Sequence, residues 1–361
     1  MGLRSYRNSS SRFTPLCMAD TQHFLSSGRH NQTLLRYNYF SVPSAELPKY
    51  RAPMLIKHFY DPDSSTLSYV VACQETGSCA IIDPVLDFDY ASGTIHTGTA
   101  DRLIAFVQQS NLTLELILET HVHADHITSA PYIRERLGGK IGIGASITKV
   151  QTTFAQIFNE DSDFARDGSQ FDQIFADGDS FYLGNITCAA MHVPGHTPAC
   201  MAYLLNDALF VGDTLFMPDA GTARCDFPGG NAHALFQSIQ RLLTLPGDTR
   251  IFVCHDYQPN DRPLAYETTV AEQRTLNIHV GADTQESDFV RMREARDAEL
   301  GMPALILPSL QLNMRAGLIP AAEETDRVFL KVPINRFGGV SLNKLPKDKP
   351  PAASKGEQKL S

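Results

Sequence analysis

The stretch from residue 120 to residue 126 constrains this chain more than any other. It reads Thr-His-Val-His-Ala-Asp-His, so three imidazoles and one carboxylate lie within six residues. Directly before it, residues 114–119 form a largely apolar run of the kind that predicts a buried strand. Ligands on the loop at a strand's end have rigid support and remain accessible to a metal ion. The stretch therefore predicts a metal site at the edge of a sheet.

Three later segments supply matching donors. His196 lies in a Pro-Gly turn, and Asp213 and His255 each follow an apolar run. A glycine precedes both His196 and Asp213, as a tight turn that aims a side chain requires. The four segments together hold six of the twelve histidines, a concentration that argues against chance. One of the six, His192, precedes the turn on the strand itself, and we interpret it as structural.

Seven donors allow two arrangements of metal. They are His121, His123, Asp125, His126, His196, Asp213 and His255. In the first arrangement His121, His123 and His196 hold one ion, Asp125, His126 and His255 hold another, and Asp213 bridges them. Two Zn²⁺ ions ~3.5–4 Å apart would then activate a hydroxide for hydrolysis. In the second, His121, His196 and Asp213 form a two-histidine, one-carboxylate face, which typically holds one non-haem Fe(II) and leaves three positions open. The spacing alone does not choose between them.

The amino-acid composition argues against nucleic acids and membranes as binding partners. With 361 residues and 43 % hydrophobic content, the chain can bury a full core in one large domain or two small ones. The formal net charge of −9 argues against nucleic acid, because phosphate binding needs a basic surface. No apolar stretch approaches the ~20 residues that span a bilayer, so no membrane contact is expected. Seven cysteines without a CxxC spacing are typical of a reducing compartment, which favours the cytoplasm.

The two ends of the chain differ from the middle. Residues 1–19 contain arginines and serines but no acidic residue, so we interpret residues 1–50 as an N-terminal extension that is disordered or transit-like. A transit peptide would direct the protein to mitochondria instead of the cytoplasm. Residues 338–361 form a Lys- and Pro-rich tail that cannot build a core. The catalytic domain is expected at residues 54–337.

Hydrophobic periodicity predicts an α/β sandwich between these ends. Strands are expected at residues 54–60, 67–73, 79–82, 114–119, 181–183, 186–193, 200–205 and 208–211. Helices are expected at residues 99–109, 127–137, 147–158, 231–243, 266–278 and 288–300. Residues 168–177 fit either a strand or a loop.

The order of these motifs resembles a known superfamily. His-x-His-x-Asp-His, followed by Pro-Gly-His, Gly-Asp and a late His, is similar to the metallo-β-lactamase superfamily. The resemblance implies an αββα sandwich, in which helices flank two mixed β-sheets and the metal site lies at the sheet edge. Further segments are similar to persulfide dioxygenases, which are related to glyoxalase II. These segments are residues 194–198, 212–215, 223–227, 254–257, 272–277 and 313–317.

The persulfide dioxygenase resemblance implies one Fe(II) per chain. In that family the donors matching His121, His196 and Asp213 bind the iron, so these three would be the metal and catalytic residues. The remaining donors would orient them through hydrogen bonds; they are His123, Asp125, His126 and His255. The implied substrates are glutathione persulfide and O₂, the products are sulfite and glutathione, and the implied role is hydrogen sulfide detoxification. The family resemblance also suggests a homodimer.

A glutathione thioester hydrolase of the glyoxalase II type, with two Zn(II), is the alternative. The two families share the metal motifs. They differ at residues 255–257, where this chain has His-Asp-Tyr and glyoxalase II usually has His-Glu-Tyr. A non-enzymatic metal-binding module on the same fold would require a missing ligand, and the sequence lacks none of the seven.

Five residues are expected to bind the substrate. Glutathione carries two carboxylates, which call for guanidinium, amide or phenol donors. The candidates are Arg224, Tyr257, Arg274, Asn313 and Arg315. Asp226 is placed to pair with Arg224, and Cys225 is expected to be a buried neutral thiol.

Overall fold

The computed structural model describes residues 51–281, 283–322 and 327–337. The predicted N-terminal extension, residues 1–50, and the predicted tail, residues 338–361, lie outside the described residues. Among the helices that are described, none is both long enough and apolar enough to cross a membrane.

The described part of the chain contains fifteen strands and seven α-helices. The strands are β1 (Met54–Asp61), β2 (Thr66–Cys73), β3 (Ser78–Ile82), β4 (Val85–Asp89), β5 (Thr94–His96), β6 (Thr113–Leu118), β7 (Ile127–Thr128), β8 (Lys140–Gly144), β9 (Gln173–Phe175), β10 (Ser180–Leu183), β11 (Ile186–His192), β12 (Met201–Leu205), β13 (Ala208–Phe210), β14 (Arg250–Phe252) and β15 (Glu267–Thr269). The helices are α1 (Gly98–Gln109), α2 (Ala130–Leu137), α3 (Ile147–Ile157), α4 (Ala232–Leu242), α5 (Val270–Leu276), α6 (Glu286–Asp297) and α7 (Ile306–Asn313). Single 3₁₀ turns lie at Gly212–Thr214 and Pro259–Asp261.

Two six-stranded mixed sheets form the framework. The first has the order β1-β2-β3-β6-β8-β9, and the second has the order β10-β11-β12-β13-β14-β15. In the first sheet the pairs from β3 to β9 are parallel, and in the second only β13 and β14 pair in parallel. A small sheet, β5-β4-β7, lies beside them.

Alternate residues of each strand build the core between the sheets. In β2, Tyr69 and Val71 belong to the cluster between the sheets, and Val70 belongs to the cluster on the outer face. The Tyr69 ring packs edge-on against Phe210 at 5.2 Å and Phe252 at 5.6 Å, both from the second sheet. The sheets therefore pack face to face.

Helices cover the two outer faces. Buried residues of α1, α2, α3 and α7, such as Leu103 and Phe154, pack on the first sheet. On the other side α4 and α6 pack together through Phe236 and Phe289, whose rings are 5.4 Å apart. The expected αββα sandwich is confirmed.

Two of the predicted helices begin later than expected. Residues 266–278 start as strand β15, and α5 begins at Val270, because Thr269 and Glu272 form a capping box that starts a helix there. Residues 127–137 start as strand β7, and α2 begins at Ala130 with Pro131 in its first turn. The undecided segment 168–177 contains the short strand β9.

Candidate metal centre

Four loops carry the predicted donors to one edge of the sandwich. They follow β6 in the first sheet and β11, β13 and β14 in the second. His121, His196 and Asp213 offer ligand atoms that lie within 4.8 Å of one another. The rings of His121 and His196 are 5.1 Å apart, and His196 Nε2 is 3.6 Å from Asp213 Oδ2. The structure therefore brings together the three residues that the resemblance assigns to iron.

The other four donors lie directly beside this group. His123, Asp125 and His126 form a second group within 4.8 Å. His255 Nε2 lies 3.5 Å from Asp125 Oδ2 and 3.2 Å from Asp213 Oδ1. Asp213 thus faces both groups, as a bridging or shared ligand would.

Two glycines allow the donor loops to approach their neighbours closely. At Gly195, with φ +151°, a Cβ atom would lie 2.3 Å from the Cα of Leu235 in α4. At Gly212, with φ +51°, a Cβ would lie 2.5 Å from Thr120 Oγ1. Both positions require glycine for space and for backbone conformation, which agrees with the tight turns expected from the sequence.

The His196 and His255 rings are oriented by backbone carbonyls. His196 Nδ1 donates to the Arg224 carbonyl at 2.7 Å, and His255 Nδ1 donates to the Ser65 carbonyl at 3.3 Å. Because a carbonyl can only accept, the proton of each neutral ring lies on Nδ1 and the Nε2 lone pair is left for a metal.

Thr66 contacts three of the donors at once. Its hydroxyl lies 3.2 Å from Asp125 Oδ2 and 3.4 Å from Nδ1 of both His126 and His255. A hydroxyl can donate one hydrogen bond and accept two. Thr66 can therefore donate to the carboxylate, while its oxygen accepts from Ser64 Oγ at 2.7 Å and has one acceptor site left for an imidazole, which orients this half of the site.

Asp83 orients the remaining two histidines. His123 Nε2 donates to Asp83 Oδ1 at 2.9 Å and lies 3.6 Å from Glu119 Oε2. His121 Nδ1 is 3.0 Å from Thr120 Oγ1, whose hydroxyl donates to Asp83 Oδ2 at 2.9 Å. One buried carboxylate thus determines which nitrogen of each ring faces the site.

Three buried imidazole nitrogens of the metal donors have no hydrogen-bond partner among the described residues. They are His121 Nε2, His123 Nδ1 and His126 Nε2, while His255 Nε2 and Asp213 Oδ1 contact only atoms within the donor set, at 3.2 Å from each other. A buried polar atom without a partner costs about 1–3 kcal/mol, so three in one place require an explanation. A bound cation would satisfy all of them, and imidazole and carboxylate are suitable ligands for zinc or iron. The residues present therefore fit a metal.

The charges of the site favour a cation. Burial and the neighbouring His123 lower the pKa of His121 well below its usual range, so its lone pair is free. Burial opposes the charge on Asp213, but His255 and the other imidazoles hold the pKa of that carboxyl well below its usual range. Burial also opposes the charge on His255, yet Asp213 and Asp125 raise its pKa to about 10. The extra proton on His255 would have to leave before this imidazole could bind a metal ion. Metal binding is therefore expected to release protons.

A cavity of about 840 Å³ opens above the donors. This volume is within the range of about 300–1,000 Å³ that small-molecule sites occupy. The floor of the cavity is lined by Asp125, His126, His196, Asp213 and His255. Its walls carry opposite charges: Asp61, Asp63, Asp87 and Asp89 on one side and Arg224, Arg293 and Arg296 among the other lining residues.

Two of the predicted substrate-binding residues line this cavity, Arg224 and Tyr257. Arg224 binds both carboxylate oxygens of Asp226, at 2.6 and 2.7 Å, as the sequence suggests, and also donates to the Gly301 carbonyl at 2.6 Å. Tyr257 stacks on His255 with ring centroids 5.7 Å apart and remains 56 % exposed. Tyr257 is therefore in a position to meet a bound ligand, whereas all three guanidinium nitrogens of Arg224 are already hydrogen-bonded and its side chain is only 11 % exposed.

The structure does not bring Arg274 or Arg315 to the cavity. Arg274 donates to the carbonyls of Leu243 and Leu245 at the end of α4, so its guanidinium completes a helix terminus. Arg315 pairs with Glu160 at 3.1 Å on a different face. Their role in substrate binding stays a prediction, and neither lines the cavity.

Asn313 lies at the site but not in the cavity wall. It is 4 % exposed, and its amide binds only backbone groups of the loop that carries His123 and His126. Asn313 thus contacts the donor loop, and its role in substrate binding stays a prediction.

Cys225 is the neutral thiol that the sequence suggests. Its sulfur lies 3.4 Å from Asp297 Oδ2. Burial and this carboxylate raise the pKa of Cys225 to about 12, so the reactive thiolate does not form near neutral pH.

Sequence reasoning missed the residues that orient the donors, namely Thr66, Asp83 and Glu119, and the cavity residue Arg296. Thr66, Asp83 and Arg296 belong to no motif and reach the site only through folding. The available signals were Glu119, which directly precedes the motif at residues 120–126, and Asp83 at the end of the apolar run 79–82. Cys254 Sγ also lies within 4.8 Å of ligand atoms of Asp213 and His255, but burial raises its pKa well above the usual range.

Comparison with known proteins agrees with this geometry. The profile of the metallo-beta-lactamase superfamily matches residues 61–255. A probable metallo-hydrolase of Burkholderia pseudomallei is 50 % identical over 78 % of this chain and 99 % of its own length. Glyoxylase B2 of Dictyostelium discoideum is 43 % identical over 78 % of this chain and 97 % of its own.

Persulfide dioxygenases are more distant relatives. The mitochondrial persulfide dioxygenase ETHE1 of Homo sapiens is 32 % identical over 74 % of this chain and 90 % of its own. The crystal structure of ETHE1 from Myxococcus xanthus superposes with a TM-score of 0.59 at 29 % identity, covering 73 % of this chain and all of that one. Given the profile match, the relatives and the buried donor set, this chain belongs to the metallo-β-lactamase superfamily and is a metal-dependent enzyme of it.

Proposed function

We propose that the protein is a glutathione-dependent persulfide dioxygenase with one Fe(II) per chain. The observation that carries the proposal is the group of His121, His196 and Asp213 beneath a cavity of ligand size. Two imidazoles and one carboxylate with open positions are typical of non-haem Fe(II) oxygenases. The likeness to the human persulfide dioxygenase and to the Myxococcus structure supports the same assignment.

The reaction is GSSH + O₂ + H₂O → GSH + HSO₃⁻ + H⁺, where GSSH is glutathione persulfide. The persulfide group loses four electrons and O₂ accepts them, so no further oxidant is needed. Bound Fe(II) would supply electron density for O₂ activation next to the substrate sulfur. The chain need not provide a strong base, because a persulfide is largely ionised near neutral pH.

The protein's own residues position the ligands and the substrate. His255 Nε2, 3.2 Å from Asp213 Oδ1, holds that carboxylate in place from the side opposite His196. Arg296 places positive charge at the cavity for a carboxylate of glutathione, whereas the charge of Arg224 there is balanced by Asp226. The Tyr257 hydroxyl is a further donor at the cavity.

A dinuclear thioester hydrolase of the glyoxalase II type is the second candidate. Two observations favour it: the Nε2 atoms of His126 and His255 could hold a second ion together with Asp125, and relatives named metallo-hydrolase and glyoxylase are 43–50 % identical. On this assignment Asp213 would be a ligand shared by the two metal groups, and two Zn(II) would supply the Lewis acidity that activates water for hydrolysis.

One experiment separates the two candidates. Protein purified without oxygen is analysed for metal, and the same preparation is assayed for O₂ uptake with glutathione persulfide and for hydrolysis of S-lactoylglutathione. We expect about one iron per chain and O₂ uptake matched by sulfite formation. Two zinc ions per chain, thioester cleavage and no O₂ uptake would establish the hydrolase instead.

The homodimer and the cellular compartment stay predictions from the sequence. Sedimentation of the purified full chain tests the first. Fractionation of cells that express the chain with and without residues 1–50 tests the second.

A further inference from the structure

Asn313, the last residue of α7, binds the loop that carries four of the metal donors. Its Nδ2 donates to the carbonyls of His123 and His126 at 2.9 and 2.8 Å. Its Oδ1 accepts from the Thr128 amide at 2.9 Å. The side chain thus uses its acceptor and both donor hydrogens on one loop that is distant in sequence.

The polar backbone groups of this loop find their hydrogen-bond partner in a side chain. Residues 121–126 belong to no helix or strand, so the His123 and His126 carbonyls have no ladder partner. Buried backbone groups must be paired, and only a primary amide offers two donors and one acceptor in this geometry. Aspartate would face the two carbonyls with an acceptor, and an apolar residue would leave all three groups unpaired.

The end of α7 is itself held rigidly against the loop. Gln151 Nε2 donates to the Met314 carbonyl at 3.0 Å. At Gly317, with φ +78°, a Cβ atom would lie 2.8 Å from both Pro131 Cδ and Thr128 Cγ2. This close packing gives Asn313 a fixed location from which to orient the loop.

We propose that Asn313 is a positioning residue that sets the placement of His123 and His126 in the metal centre. Asn313 would have this role whether these histidines bind an ion or orient the residues that do. Part of the centre would then lie in the C-terminal segment, well beyond residue 255, where the superfamily match ends. Residues that orient ligands from outside the donor set typically change metal affinity by about 10–100-fold when removed.

Gln311 provides a matched control on the same helix. It is also buried, its Nε2 donates to the Leu307 and Lys331 carbonyls, and its Oε1 accepts from the Lys331 amide. The two amides therefore make the same three kinds of bond, but Gln311 binds a segment that carries no metal donor.

The test compares Asn313→Ala with Gln311→Ala in the full chain, with cobalt(II) as the probe metal. Cobalt affinity is measured by competition with a chelator, and ligand geometry is read from the visible absorption spectrum. We expect Asn313→Ala to bind cobalt about 10–100-fold more weakly with shifted bands, and Gln311→Ala to retain the original affinity and spectrum.

Two results would overturn the inference. One is an Asn313→Ala protein with cobalt affinity within about twofold of the original and the same spectrum. The other is a Gln311→Ala protein whose cobalt affinity and spectrum change as strongly as those of Asn313→Ala. That result would show that the change comes from general destabilisation of the fold. If Asn313→Ala does not fold, Asn313→Ser, which retains one hydrogen-bonding group, is judged by the same criteria.

Discussion

At the scale of single residues, each candidate ligand histidine has one nitrogen held by the protein. His196 uses Nδ1 on the Arg224 carbonyl and presents Nε2, whereas His123 uses Nε2 on Asp83 and presents Nδ1. The sequence identifies both as donors but does not say which nitrogen binds, because that depends on partners far away in the chain. The partner residues thus control ligand geometry as much as the ligands do.

Arg296 is a residue whose position at the substrate cavity likewise depends on the fold and not on a local motif. It lines the cavity from the end of α6, is exposed, and has no ion pair or side-chain hydrogen bond within the described ranges of the chain. We expect Arg296→Ala to raise KM for the glutathione conjugate up to about fivefold, since an exposed charge pair contributes about 0.2–1 kcal/mol. The kcat should change little, because the interaction is the same in ground and transition states.

Steady-state kinetics with Arg291→Ala as control checks this prediction. Arg291 lies on the same helix, is paired with Asp288 and does not line the cavity. A kcat loss in Arg296→Ala without a change in KM would place Arg296 at the chemistry instead of at binding.

At the scale of elements, the C-terminal segments hold the cavity loops in place. Arg293 of α6 donates to the Thr222 carbonyl, and Asp297 accepts from the Cys225 amide. After α5, His279 Nδ1 accepts from the Thr222 amide at 3.0 Å. These bonds fix the backbone around Arg224, whose carbonyl orients His196, so the helices after residue 255 contribute to the metal site.

His279 should make the stability of the protein depend on pH. It is buried, and burial together with the charges of Arg293 and Arg296 lowers its pKa from 6.5 to about 4. Below pH 6.5 the unfolded chain therefore takes up this proton before the folded chain does. The neutral ring stabilises the fold fully above pH 6.5, and this contribution decreases as the pH falls to about 4, by up to about 3 kcal/mol in total.

Urea unfolding between pH 4 and pH 7 tests this expectation against His279→Asn, which keeps an acceptor for the Thr222 amide. The variant should show a shallower loss of unfolding free energy in acid than the original protein. Taking the difference at each pH removes the response of the metal centre, which both proteins share. Parallel curves would show that His279 does not cause the acid sensitivity.

At the scale of the whole molecule, the metal centre joins the two sheets. The loop after β6 belongs to the first sheet, and the loops that carry His196, Asp213 and His255 belong to the second. A bound ion therefore links both layers of the sandwich. Without the ion, buried donors remain unpartnered, so stability and metal occupancy should be coupled.

Metal removal should accordingly lower the thermal stability. We expect chelated protein to unfold at a lower temperature, and excess metal at about 100 times its Kd to restore about 2.7 kcal/mol. Differential scanning calorimetry without oxygen measures both states. The metal-dependent difference should persist in His233→Ala, a surface histidine paired with Glu286, and should be lost in His196→Ala. Equal unfolding temperatures with and without metal would contradict the coupling.

The fold class and the candidate donors could be predicted from local patterns in the sequence. Strand periodicity and the spacing of His121, His123, Asp125 and His126 are local properties, and a short loop after a strand can present them in only a few ways. The Pro-Gly-His turn and the Gly-Asp pair are local in the same sense, because glycine is required there by backbone conformation.

Only the tertiary structure decided which residues complete the site. Thr66, Asp83, Arg296 and Asn313 reach it through strand pairing and helix packing between segments that are remote in sequence. The same packing places Arg274 and Arg315 outside the cavity. The guanidinium group of Arg274 donates to backbone carbonyls, and that of Arg315 pairs with Glu160. A local sequence pattern indicates which kinds of group a residue can bind. Its actual partner in the folded protein depends on how the two sheets and their covering helices pack together.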